Sequence, residues 1–289
     1  MKFKRIGIIA KDNSESYREL YERVFALIRR QGSEILLTEY LSLLFPSMEK
    51  ADIKDFPGAI DLCIIFGGDG TFLYASRILY GHDVPLAGIN LGRLGFLTEI
   101  PADMACITLE EIIKGNYSID TRLMLESTIT EDDRLIYRNY ALNDIVVTSK
   151  TVARVIELDC HINGLPLTTY VADGIIISTT TGSSAYNLSV GGPVVNPRVK
   201  ALLISPISPH SLTHRPLVIP EDSVISVPLS GTQKNLIVTA DGQVAHCIRD
   251  DLTLTVKSAR KPIPIIHARS RNYYDILKKK LHWGIGNAY

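Results

Sequence analysis

The stretch DLCIIFGGDGTFLYASRIL, residues 61–79, leaves a short apolar run through GGDG and enters a helical pattern at once. An apolar run bounded by turn residues reads as a buried strand, and a helix that follows it directly has to pack back on the sheet. The same order repeats to either side. RIGIIAK reads as a buried strand, and ESYRELYERVFALIRRQ, residues 15–31, places Leu20, Val24, Ala26, Leu27 and Ile28 on a helical stripe that ends before Gly32. EILLTEY is a further strand, TFLYASRILYG is a helix that stops at Gly81, and PLAGINLG returns to extended chain. Alternation of this kind over residues 1–122 predicts an α/β domain with a parallel sheet covered by helices.

After Tyr117 the period falls to two. STITEDDRLIYRNYALNDIVVTS and RVIELDCHINGLPLTTYVADGIIIST alternate apolar with polar residues, and Asn163-Gly164 between such runs signals a hairpin. PLVIP, VISVPLS, NLIVTA, LTLTVKS and PIPIIH continue the pattern, so residues 123–269 are expected to form a mostly β domain. Within it GSSAYNLSVGG, residues 182–192, reads as a short helix after a Thr-rich turn. SRNYYDILKKKLHW is helical again, and residues 270–289 are expected to pack back on the first domain.

Composition narrows the partners. The 31 basic and 31 acidic side chains balance, and Lys278–Lys280 reads as the exposed end of a helix, so a partner held by phosphate neutralisation, such as duplex DNA, is not expected. Cys63, Cys106, Cys160 and Cys247 lack C-x-x-C spacing and signal neither zinc nor a disulfide framework. No apolar stretch approaches the ~20 residues of a membrane span. A cytoplasmic protein with no membrane partner is the expectation.

The GGDG turn supports two readings. In one, Asp69 caps the helix and the glycines adopt positive φ. In the other, the glycines admit a ligand to the backbone, helix-start N–H groups bind phosphate, and an uncovered carboxylate takes a proton or helps hold a cation. The usual fingerprints are missing: there is no G-x-x-x-x-G-K-[ST], GINLGRLG departs from the dinucleotide spacing, and the protein-kinase elements are absent. A second polar cluster gathers Asp173, Thr179, Thr180, Thr181, Ser183, Ser184, Tyr186 and Asn187, either as a solvated turn or as an acceptor and a flat ring for a base or amide. Asn143-Asp144 precedes an apolar run, and Asp241-Gly242-Gln243 reads as a β-turn.

Taken in order, GGDGTFL, INLGRLGFLTEI, ALNDIVV, ADGIIISTTTGSSAYNLSVGGPVVNP, ISPHSLTHRPLVIP and ADGQ resemble the ATP-dependent NAD kinases over nearly the whole chain. The resemblance implies a Rossmann-like N-terminal domain, a β-rich C-terminal domain, and transfer of the ATP γ-phosphoryl, with Mg²⁺, to the adenosine-ribose 2′-hydroxyl of NAD. It makes Asp69 the base, with Gly67, Gly68, Gly70 and Thr71 near the phosphates. NAD contacts fall on Asp69, Gly70, Phe96, Asn143, Asp144, Arg154, Asp173, Thr181, Ser184, Ala185, Tyr186, Ser189 and Gln243. A homo-oligomer, dimer or tetramer, is implied as well. Several positions depart from the pattern, among them Asp144, which stands where Glu is usual, and Thr180, where the motif has proline. A lipid kinase sharing the GGDG turn and a non-catalytic NAD(P) sensor are the alternatives; the first would want an apolar cleft and the second would have lost Asp69.

Overall fold

The computed structural model describes residues 3–10, 15–150, 155–229, 236–248, 251–269 and 272–283. The chain divides by contact into one unit of Met1–Thr121 with Ile263–Tyr289, and a second of Arg122–Pro262.

The first unit begins with β1 (Arg5–Ala10), β2 (Glu34–Thr38), β3 (Lys50–Ala51), β4 (Leu62–Gly67), β5 (Leu86–Asn90), β6 (Ile100–Pro101) and β7 (Tyr117–Arg122), whose last residue, Arg122, already belongs to the second unit. Between them lie α1 (Arg18–Arg30), α2 (Glu39–Ser42), α3 (Asp69–Leu79) and α4 (Ala105–Lys114). The apolar runs do become doubly buried strands: all of Leu62–Gly67 and Leu86–Asn90 is buried. In α1 the buried residues are Tyr21, Val24, Phe25, Leu27 and Ile28, while Ala26 faces solvent and Leu20 is only half-buried. The reason is bulk at helical spacing, since Tyr21, Val24, Phe25 and Ile28 lie at i, i+3, i+4 and i+7 and fill the face on the sheet. Tyr21 sits edge-on against Phe66 and Phe45 at 5.0 and 6.2 Å.

The second unit carries β8 (Leu125–Glu131), β9 (Arg134–Ala141), β10 (Asp144–Ser149), β11 (Ile156–Ile162), β12 (Leu165–Ala172), β13 (Gly174–Thr179), α5 (Tyr186–Ser189), β14 (Ala201–Ile207), β15 (Leu217–Pro220), β16 (Ile225–Leu229), β17 (Leu236–Ala240), β18 (Val244–Ile248) and β19 (Leu252–Ser258). They form two six-stranded sheets, ordered β15-β14-β13-β10-β17-β18 and β12-β11-β16-β19-β8-β9. Inward residues of both, among them Ile129, Ile145, Leu158, Ile177, Leu202, Val227 and Leu254, share one core. Asn163 and Gly164 turn β11 into β12 at φ 51° and 77°, the hairpin geometry their types favour. The segment expected as one helix over residues 182–192 is a 3₁₀ turn, Gly182–Ser184, followed by the single turn of α5.

The chain then returns to the first unit with β20 (Ile263–Ala268) and α6 (Tyr273–Leu281). Sequence periodicity placed PIPIIH in the β half; instead β20 runs parallel to β5, and the first sheet reads β3-β2-β1-β4-β5-β20-β7 with β6 beside β5. An apolar run alternating with prolines does not reveal which sheet will take it. In α6, Leu277 is the buried residue, and the ammonium of Lys280 lies 5.5 Å from the Phe96 ring centre.

Candidate active site

Parallel pairing of β4, β5 and β20 brings their carboxyl ends to one edge of the first sheet, where loops of α/β folds gather ligands. At that edge Gly67 holds φ 151°, a conformation reserved for glycine, and its missing side chain would meet the Thr71 hydroxyl at 2.6 Å. Gly68 is the helix N-cap, with Gly68 and Gly70 exposed and open space where a Gly68 side chain would project. Asp69 is therefore the first residue of α3 rather than its cap.

Its carboxylate is half-buried and well held. Oδ2 accepts the Phe96 N–H at 2.9 Å, and Oδ1 accepts the N–H groups of Leu97 and Thr98 at 3.0 Å each and the Thr98 hydroxyl at 3.2 Å. The expectation of an uncovered carboxylate is corrected accordingly: the loop after β5 wraps it. Asn90 shapes that loop, its Oδ1 accepting the Gly92 N–H at 2.8 Å and its Nδ2 donating to the Thr98 hydroxyl at 3.2 Å. Gly95 is buried against Asp69, and Phe96 is half-buried. Thr98 and Asn90 went unread in the sequence, since a backbone loop that binds a carboxylate leaves no side-chain signature.

In the second unit Asn143, half-buried, and Asp144, buried, stand at the head of β10. Asp241, read from sequence as a turn residue, organises them: its carboxylate accepts the N–H of Leu142, Asn143 and Asp144 at 3.0, 2.7 and 3.2 Å. Asp241 and Gly242 have φ of 51° and 62°, so the β-turn is real, but the side chain reaches across to β10. Burial, with the Asp241 charge second, pushes the Asp144 carboxyl up to about 7.

The Asn143 carbonyl accepts the Thr179 N–H at 2.9 Å and the Ser178 hydroxyl at 3.1 Å. The Thr179 hydroxyl donates to the Leu142 carbonyl at 2.6 Å and accepts the Gly182 N–H at 3.0 Å. Thr181 is buried and takes the buried Arg122 guanidinium on its hydroxyl at 3.3 Å, a partner no motif pointed to. Asn187 is fully buried, donating to the carbonyls of Ser183 and Pro193 at 3.1 and 3.2 Å and accepting the Ser205 hydroxyl at 2.7 Å. This ring holds α5 so that Tyr186 and Ser189 are exposed beside half-buried Ser184 and Ala185. Asp173 and Gln243 are exposed too, and Arg154 lies outside the described residues. Thr180, standing where the motif has proline, donates its hydroxyl to the Pro197 carbonyl at 3.2 Å, a tie proline could not make.

Residues 6–117 match the model of the ATP-NAD kinase N-terminal domain, and residues 142–268 that of the ATP-NAD kinase C-terminal domain. The chain belongs to the ATP-NAD kinase family. It is 37% identical over 282 residues to an NAD kinase of Syntrophotalea carbinolica, a match that covers 97% of this chain and 99% of that one. In fold it is similar to yeast NADH kinase complexed with NADH, at TM-score 0.91 and 24% identity over 99% of this chain and 89% of that one. An NAD kinase of Archaeoglobus fulgidus in complex with ATP gives TM-score 0.78 at 24% identity, over 97% of this chain and 100% of its own. As a member of the ATP-NAD kinases the chain is a phosphotransferase acting on NAD, which sets the lipid-kinase alternative aside. Asp69, whose loss would mark a sensor, is in place. No helix among the described residues is long and apolar enough to cross a membrane.

Proposed function

We propose that the chain transfers the γ-phosphoryl of ATP to the adenosine-ribose 2′-hydroxyl of NAD, with Asp69 orienting that hydroxyl and taking its proton. The observation that carries this reading is the unequal use of the two carboxylate oxygens. Among the described residues Oδ1 receives three donors, whereas Oδ2 receives the Phe96 N–H alone and retains acceptor capacity for a substrate hydroxyl. A base fixed in this way needs no reorganisation as the phosphoryl group arrives, and phosphoryl transfer depends chiefly on such positioning.

The exposed Gly68 and Gly70 at the start of α3 support an approach of phosphates there, with Gly67 and Thr71 shaping the turn beneath. Mg²⁺ enters as part of the MgATP substrate, whose phosphates supply its oxygen ligands. For NAD, Asn143, Asp144, Thr181, Ser184, Ala185, Tyr186 and Ser189 offer polar atoms and an exposed ring around one ordered turn, and Phe96, Arg154, Asp173 and Gln243 complete the set. The reading includes a cytoplasmic homo-oligomer, dimer or tetramer, favoured by exposed apolar side chains such as Leu165 and Leu212 on the β-rich unit.

The test is NADP formation from NAD and MgATP by the wild type and by Asp69→Asn. A positioned base contributes roughly 10²–10⁴ in rate, so the variant is expected to lose about that much kcat while its NAD dissociation constant stays near that of the wild type. Retention of more than about a tenth of kcat would refute the assignment of Asp69 as base.

A further inference from the structure

A buried cluster of ionisable side chains lies outside the residues assigned so far. His267, near the end of β20, is 2% exposed; its Nδ1 is 2.6 Å from Glu99 Oε1, and its Nε2 is 3.8 Å from Asp120 Oδ2 on β7. The two carboxylates are themselves only 7% and 13% exposed. Burying such groups sacrifices hydration that pairing only partly returns, and an apolar trio filling the same space is often no less stable. Such a cluster is therefore weak evidence for a purely stabilising role.

Its place in the chain points to another role. Glu99 follows Thr98 directly, and Ile100 enters β6 opposite Ile89 of β5. The loop whose Phe96, Leu97 and Thr98 amides hold Asp69 is therefore pinned at two points, by Asn90 at its start and by Glu99 at its end. The partner of Glu99 comes from 168 residues away, delivered by the strand that returns from the β-rich unit and inserts beside β5. We infer that Glu99 and His267 are positioning residues that clamp the 96–98 amides on Asp69 and so set the orientation of its carboxylate during phosphoryl transfer; the inference rests on Asp69 being the base.

The test compares His267→Gln, Glu99→Gln and each of these combined with Asp69→Asn, with urea unfolding to check that every variant folds. A carboxylate displaced by about 1 Å loses up to about 100-fold in rate, so each single variant is expected to lower kcat about 10- to 100-fold while KM for NAD holds within about threefold. In the Asp69→Asn background the same substitutions are expected to cost nothing further, because the group they act through is already gone. Unchanged kcat in the folded single variants overturns the inference while leaving Asp69 as base. An equal further loss on top of Asp69→Asn also overturns it, since the cluster would then act elsewhere. Retention of more than about a tenth of wild-type kcat by Asp69→Asn alone refutes the reading of the base, and the inference falls with it. Should His267→Gln fail to fold, Glu99→Gln, which keeps side-chain length and an acceptor oxygen, carries the same comparison.

Discussion

Adding one methyl group at Gly95 is expected to disable the site more than it destabilises the fold. A side chain there would place its first carbon 2.0 Å from Asp69 Oδ1, 2.4 Å from the Thr98 hydroxyl and 2.8 Å from Asp69 Cγ. Relief takes a shift of more than about 1 Å, given ordinary contacts near 3.5 Å. The movable part is the carboxylate, and moving it strips Oδ1 of the Leu97, Thr98 amide and Thr98 hydroxyl donors. Hydrogen bonds to a charged group contribute about 1.5–3 kcal/mol each, but Asp69 is half-buried and the freed groups partly rehydrate, so a net loss of about 2–4 kcal/mol is expected. Against this, alanine restricts the unfolded chain and returns only about 0.4–1 kcal/mol. Displacement of the carboxylate is expected to cost about 100-fold or more in kcat. Gly92→Ala is the control, since its added carbon meets nothing within 4 Å, and it should stay within about 0.5 kcal/mol of wild type. Steady-state NADP formation and urea unfolding of both variants decide the matter. A Gly95→Ala protein with kcat within about threefold of wild type would show that neither the tight contact nor the amide clamp governs the reaction.

Two further outcomes follow from the β-rich unit. Asp144 carries a carboxyl raised from 3.8 to about 7, so the folded chain holds that proton more tightly than the unfolded chain, and stability falls as pH rises through this window. Asp144→Asn removes the titration. Its stability relative to wild type should improve by on the order of 3–4 kcal/mol between pH 4 and pH 8 in urea unfolding, and a difference independent of pH would contradict the burial argument. Gly182→Ala would set a carbon 2.2 Å from the Asn143 carbonyl oxygen and 2.5 Å from the Ser178 hydroxyl. Because the first obstacle is backbone, the substitution should destabilise by about 1–3 kcal/mol and weaken NAD binding, read by urea unfolding and isothermal titration.

Local patterns were enough for much of this protein. DLCIIF, PLAGIN and the helix after GGDG are recognisable because buried strands and amphipathic helices repeat at fixed short periods, and Asn163-Gly164 marks its hairpin because few other residues accept positive φ. The ordered motifs likewise named the family. Contacts made across long separations were not readable. Asp69 looks the same in sequence whether open to solvent or bound by amides 27 to 29 residues away, and Asp241 looks like a turn residue although it holds a segment 97 to 99 residues before it. Ala26 fitted the helical period, yet the larger Phe25 took the buried face. The destination of Ile263–Ala268 had no local sign at all. Sequence determines the conformations that backbone sterics and short-range burial prefer. Tertiary structure decided which amides meet Asp69, which carboxylate orders Asn143 and Asp144, and which histidine stands beside Glu99, because those depend on how strands distant in sequence come to share a sheet.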